Sequence, residues 1–327
     1  MASLADKTAV GTAPGLRGLP FILVLVAIGA VIFAIGRWYN NSYGFFMAYV
    51  VAQYIVLGTA WNILGGYTGY VNFGVTAFFA LGAYSTVVLH KLTPAMPLPL
   101  MILIGGALAG LVGLGTGYLT LRLRGVFFSI ATLALAVVVQ TLIINWDFVG
   151  GARGAYVLRP RVAPLIGGEY VQYLFLLMLG MCVIVLATAR AIERSALGYG
   201  FAAIRDDEAA AEASGVPTLR LKLIATTLSG GFMGMAGAPL PYYVTYLDPA
   251  SGFSLNYAVN AIAMPLIGGT GSWLGPVVGA LLVGGLQEYL RVTISSAINV
   301  LVAGVLMVAF VILAPQGIVG LFQRKRK

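Results

Sequence analysis

The chain has 327 residues, of which 60% are hydrophobic and 9% charged, with a formal net charge of +9 and a mean hydropathy of +0.96. Soluble domains devote about a quarter of their residues to charge, so this composition excludes a soluble globular protein and specifies an integral membrane protein. Apolar runs close to the roughly 20 residues that cross a bilayer point to helices, and not to the alternating strands of an outer-membrane barrel.

The first twenty residues are polar and mixed. The apolar run that follows ends in Gly36-Arg37-Trp38-Tyr39 rather than in a small-residue cleavage site, and reads as a retained first span. Further apolar segments bring the set to 19–36, 44–64, 72–89, 98–120, 125–145, 170–189, 223–246, 255–269, 273–290 and 298–314. The expected fold is an all-α polytopic membrane protein of about ten transmembrane helices with both termini cytoplasmic. It divides into an N-terminal tail (1–18), a single membrane domain (19–314) and a basic C-terminal tail (315–327). This threading leaves 13 of the 19 basic residues on the cytoplasmic side, among them Arg122, Arg124, Lys222 and the tail from Arg324 to Lys327. That bias follows the positive-inside rule. It makes the 146–169 loop external and the 190–222 loop cytoplasmic, and cytoplasmic anchoring then accounts for the net charge without a nucleic-acid partner.

His90, beside Lys91 at a helix end, reads as an interfacial residue. The single cysteine, Cys182, rules out a disulfide framework or a thiolate cluster. The sequence contains no GxxxxGK[ST] loop, so any ATP hydrolysis that drives this protein takes place on another chain.

Residues 58–74 gather Gly58, Gly65, Gly66, Gly69 and Gly74 around Asn62, Tyr67, Thr68, Tyr70, Asn72 and Phe73 at the junction of two spans. Glycine and asparagine permit turns and unwound backbone, which lipid tolerates only inside protein or against a water-filled cavity. Two readings stand. Asn62, Gly65, Gly66, Tyr67, Thr68, Gly69 and Asn72 line or support a permeation path, or the segment is a tight turn between spans. A second interruption, from Pro265 to Pro276, joins two later apolar runs with similar residues. Paired interruptions in two halves point to a central site in many transporters. Gly230, Gly234 and Gly237 fall close to one helix face and read as a packing stripe.

The 190–222 loop holds five of the ten acidic residues. Its Ala202–Ser214 stretch is rich in alanine and glutamate and should form one short surface helix, with Asp206, Asp207 and Glu208 near the start of its alanine-rich half and Gly215-Val216-Pro217 as its stop. Glu208 and Glu212 share a face that is expected to be solvated, with no His or Cys to make it a metal site. The helix is either a docking element, with Ala209, Ala210, Ala211 and Ala213 entering a partner's groove, or a solvated connector.

Five segments carry a resemblance: NILGGYTGYVNFGVTAFFALGAY at 62–84, LRGVFFSIATLALA at 123–136, AIERSALGYGFAAIRDDEAAAEASGVPTLRLKL at 191–223, LIGGTGSWLGPVVGALL at 266–282 and APQGIVGLF at 314–322. Together they resemble the LivM branch of the branched-chain amino-acid ABC importer permeases. They run in the family's order over most of 44–322. Within the third, Glu208-Ala209-Ala210 followed by Gly215 resembles the EAA loop of such permeases. One departure is Asn72-Phe73-Gly74-Val75, where the family often has Ser-Leu-Gly-His. The resemblance implies a non-catalytic permease subunit of the bacterial inner membrane. Its partners would be a LivH-like second permease, two LivG/LivF-like ATPases and a periplasmic binding protein. Asp207, Glu208, Ala209, Ala210, Glu212 and Gly215 would belong to the coupling helix. The implied substrate is a branched-chain amino acid or a related amino-acid or amide solute. No cofactor is implied on this chain, while ATP and Mg are expected on the ATPases. An ion-coupled carrier or channel for a small polar solute is the competing reading, and it would more often hold an ionisable residue at mid-span.

Overall fold

The computed structural model describes residues 15–38, 42–120, 125–160 and 168–293, together with 304, 305, 308 and 317–324. Among them the chain is almost entirely helical. In chain order the long helices are α1 (Gly15–Trp38), α2 (Ser42–Thr68), α3 (Val75–Leu92), α4 (Leu98–Thr120), α5 (Val126–Ile144) and α6 (Tyr170–Glu193). Two short helices follow, α7 (Ala196–Asp206) and α8 (Glu208–Ala213), then α9 (Thr218–Gly237), α10 (Leu240–Val244), α11 (Pro249–Gly252) and α12 (Leu255–Gly268). The last elements are α13 (Leu274–Gly279), a π-turn at Ala280–Gly284, α14 (Gly285–Thr293) and α15 (Gly317–Arg324). Among the described residues, seven helical stretches are long and apolar enough to cross a membrane, the seventh being Thr218–Val244. The protein is therefore a multi-pass, all-α membrane protein.

These seven correspond to the first seven expected segments. The eighth, 255–269, is the 14-residue α12, about 21 Å long at 1.5 Å per residue and short of a full hydrocarbon crossing. The ninth is divided among α13, the π-turn and α14. The tenth, 298–314, lies almost wholly outside the described residues, as do Arg122, Arg124, the first fourteen residues and the last three.

Helix α2 is central. Tyr49, Leu57 and Trp61 on α2 join Phe78, Phe79 and Tyr84 on α3 among the largest buried side chains. Helix α1, only 6% buried, lies at the rim, where its glycine at position 29 meets Leu179 of α6. The Gly230/Gly234/Gly237 stripe is a packing surface: a Cβ on Gly234 would sit 2.3 Å from Ala109 Cβ, and one on Gly237 would sit 1.9 Å from the Phe79 carbonyl oxygen. Small residues thus let α9 approach α4 and α3 backbone to backbone.

The bundle has two distinct ends. At one, β1 (Ala155–Tyr156) pairs antiparallel with β2 (Tyr246–Leu247), joining the expected external loop to the α10–α11 connection. At this end His90 Nδ1 lies 2.9 Å from the Tyr242 hydroxyl and Lys91 donates to the Phe148 carbonyl. The opposite end carries α7 and α8. Here the Arg190 guanidinium lies 3.9 Å from the Phe21 ring centroid and Phe21 packs edge-on against Trp273. Gly317 closes against Gly269 at the same end. The start of α1 and the start of α15 therefore share the α8 end.

Candidate functional site

The charged loop folds as two helices where the sequence suggested one. Asp207 interrupts the run with an extended backbone, and its Oδ1 accepts from the amides of Ala209 and Ala210 at 2.9 and 3.0 Å. This caps α8 and satisfies amides that a helix start leaves without partners. Alanine-rich sequence favours continuous helix, but the local cap competes successfully because a short acidic side chain suits an N-cap better than a helix interior. At the other end Gly215 takes φ +84°, with its amide on the Glu212 carbonyl and the Val216 amide on the Ala211 carbonyl. Gly215 thus stops the helix in the conformation expected of a glycine terminator.

Helix α8 has an inner and an outer side. Ala211 is buried, whereas Asp207, Ala209, Ala210, Glu212 and Gly215 are exposed. Glu208 departs from the expected solvated face. Its Oε1 lies 2.6 Å from Lys222 Nζ on α9, and its Oε2 accepts from the Tyr70 hydroxyl. The Lys222 side chain is 4% exposed and that of Glu208 is 14% exposed. Lys222 Nζ also reaches the Tyr70 hydroxyl at 3.2 Å and lies 4.8 Å from that ring's centroid. Lys222, expected as a surface anchor, is therefore a buried cation. Burying it requires a partner charge, and Glu208 supplies one.

The break between α2 and α3 is shorter than its composition suggested. Helix α2 continues through Gly65, Gly66, Tyr67 and Thr68, whose hydroxyl returns to the Leu64 carbonyl at 2.6 Å. Non-helical backbone begins at Gly69, with φ +77°, and ends where α3 starts after Gly74. Its polar groups are met from within the protein. The Trp61 indole donates to the Asn72 carbonyl at 2.9 Å, and Asn72 Oδ1 accepts from the Gly74 amide at 2.7 Å. From α5, Ser129 donates to the Val71 carbonyl and Thr132 Oγ1 accepts from the Phe73 amide. Buried backbone requires such partners.

The glycines inside α2 serve close approach. A Cβ on Gly66 would fall 1.9 Å from Asn62 Oδ1 and 2.7 Å from the Thr270 carbonyl oxygen, and one on Gly58 would touch Pro265 and Pro276 at 3.4–3.5 Å. The Asn62 amide donates to the Ser272 carbonyl at 3.3 Å. The two interrupted regions, remote in sequence, are thus packed on one another. Asn62, Gly66, Tyr67, Thr68 and Asn72 are buried within this chain, while Gly69 is exposed and faces Arg205 at the end of α7. A cleft of about 370 Å³ at this place is lined by Thr68, Gly69, Tyr70, Arg205 and Glu208, among others, and joins the break to α8.

Sequence reasoning located both elements but missed what connects them. Tyr70 was grouped with the break and Lys222 with the basic residues, and neither spacing nor composition signals their meeting with Glu208. The apolar run expected at 223–246 left Lys222 in the loop, and only the start of α9 at Thr218 places it inside a helix, against the break.

Residues 43–311 match the family model described as branched-chain amino acid transport system / permease component. The chain is 29% identical to the high-affinity branched-chain amino acid transport system permease protein LivM of Escherichia coli strain K12, over 81% of this chain and 67% of that one. It is 28% identical to the LivM protein of Salmonella typhimurium, with the same two coverages. Similarity extends to the probable branched-chain amino acid transport permease protein LivH of Methanocaldococcus jannaschii, at 24% identity over 80% of this chain and 86% of that one. No solved structure matches the chain at a significant level. The matched segment takes in the α2–α3 break, the α7–α8 loop and the second interruption alike, and the chain belongs to the family of permease components of branched-chain amino acid transport systems.

Proposed function

We propose that this chain forms half of the translocation pathway of an ATP-binding-cassette importer for branched-chain amino acids or related small amino-acid and amide solutes. It sits in the bacterial cytoplasmic membrane with the α8 end and both termini facing the cytoplasm. A LivH-like permease completes the pathway, two LivG/LivF-like ATPases carry the ATP and Mg, and a periplasmic binding protein delivers the solute to the β1–β2 end. The chain itself is non-catalytic. The observation that carries this reading is the two-sided α8: a short helix held to the bundle on one side, with Ala209, Ala210, Glu212 and Gly215 open on the other. Small side chains leave room for a partner's groove to close over the helix. ATP-driven closure of the ATPases would displace α8. The interlocked Asn62–Ser272 and Gly66–Thr270 contacts would then form part of the moving wall of the pathway.

The test is purification from the native host in mild detergent, with mass spectrometry of what co-elutes. Wild type should bring down two P-loop ATPases and a second permease. Ala210→Arg, on the exposed side of α8, should lose the ATPases and keep the permease. Glu208→Arg is a poorer probe, since it places a second cation against buried Lys222. A wild-type chain that elutes alone and transports in ATP-free liposomes is an ion-coupled carrier or channel instead.

A further inference from the structure

Helix α8 is joined to the rest of the chain through two non-helical joints. Asp207 is extended on one side, and Gly215 takes a left-handed conformation with nothing within 4 Å of a Cβ on the other. Six residues between two such joints do not transmit force by backbone stiffness alone. Among the described residues, α8 is held to the bundle by the buried Ala211 and by the contact of Glu208 with Lys222 and Tyr70.

Tyr70 has an unusual position. It belongs to the non-helical break, is 8% exposed, and has its ring held edge-on by Phe128 of α5 at 5.2 Å. Its hydroxyl is shared between the carboxylate of α8 and the ammonium of α9. Two residues further along, the Asn72 carbonyl takes the Trp61 indole of α2. One continuous set of contacts therefore runs from α8 through the break to the helix whose Asn62 and Gly66 hold the second interruption.

We propose that Tyr70 and Lys222 are positioning residues of the coupling step, tying α8 to the α2–α3 break and the foot of α9 so that these elements move as one unit. This rests on the importer reading above. Hydrogen bonds to charged groups are shorter and stronger than ordinary ones, and drawing Glu208 away costs the buried Lys222 ammonium its 2.6 Å carboxylate contact. Displacement of α8 is then delivered to the break rather than absorbed at Asp207 and Gly215.

The test uses the complete transporter in proteoliposomes, comparing wild type, Tyr70→Phe, Lys222→Met and Lys222→Arg for basal ATP hydrolysis and for solute taken up per ATP. Tyr70→Phe and Lys222→Met should keep the co-purifying ATPases and basal hydrolysis, yet lower uptake per ATP by about tenfold, the scale of losing a hydrogen bond to a charged group. Lys222→Arg, which keeps the charge, should recover most of the loss. A second readout is the distance between spin labels at exposed positions 71 and 212. It should hold constant through the ATP cycle in wild type and change by about 5 Å, one helical turn, in Lys222→Met. Unchanged uptake per ATP in both variants overturns the proposal. So does a parallel fall of assembly, hydrolysis and uptake, which marks a purely structural role, and so does a wild-type label distance that itself shifts by a turn. A wild-type preparation without ATPases refutes the importer reading as well, and is recognised before any variant is compared.

Discussion

Gly82 of α3 and Gly234 of α9 meet backbone to backbone: a Cβ on Gly82 would lie 1.8 Å from the Gly234 carbonyl oxygen. Neither partner is a flexible side chain that can turn aside, so the helices themselves must separate. Gly82→Ala should cost about 3 kcal/mol, the upper part of the overpacking range. Gly115→Ala on α4, which meets nothing within 4 Å, should be neutral or stabilising by up to about 1 kcal/mol through helix propensity. Thermal unfolding in detergent, followed by size-exclusion chromatography, separates the two. Equal melting temperatures would contradict the packing.

The α2 glycines give a graded version of the same experiment. Gly66→Ala drives a methyl into Asn62 and the Thr270 carbonyl, whereas Gly58→Ala makes only ordinary contacts with the two prolines. We expect about 1–3 kcal/mol of destabilisation from the first and little from the second, with transport lost selectively in Gly66→Ala. Retention of full transport in Gly66→Ala would show that close approach of the two interruptions is dispensable.

Removing one member of the Glu208–Lys222 pair takes a 2.6 Å charged contact away from the other. Lys222→Met alone should destabilise by only about 1–2 kcal/mol, because the partly exposed Glu208 carboxylate can hydrate in place. The double variant Glu208→Gln/Lys222→Met should then be closer to wild type than the sum of the single effects. A double-mutant cycle on unfolding measures the coupling, and strict additivity would argue against a functioning pair.

At the ends of α8, Asp207→Ala should cost about 1 kcal/mol by loss of the N-cap. Gly215→Ala should cost about 1–2 kcal/mol through backbone conformation alone, since space around it is open. Both changes should appear as faster hydrogen exchange confined to residues 208–214. Exchange that stays at the wild-type rate in Asp207→Ala would mean that α8 owes its order to Ala211 and Glu208 instead.

Membrane insertion, the helical class and the extents of α4 and α5 were legible in the sequence because hydrocarbon demands long apolar runs with internally bonded backbone. Repeated small residues announced the α9 packing face, and Gly215 announced the end of α8, because each signal is local. The full length of α2 was not legible. Glycines at 65 and 66 read as a break, and only the tight approach of Asn62 and Thr270 shows why they stand inside a helix. The same holds for Glu208, whose spacing with Glu212 described a solvated face. Its environment is set by Tyr70 and Lys222, 138 and 14 residues away along the chain. Periodicity along one segment carries no information about which distant side chain will arrive to share a buried charge. That was decided by the packing of α9 and the α2–α3 break around α8, where the cost of an unpaired ion in a low-dielectric interior leaves few alternatives.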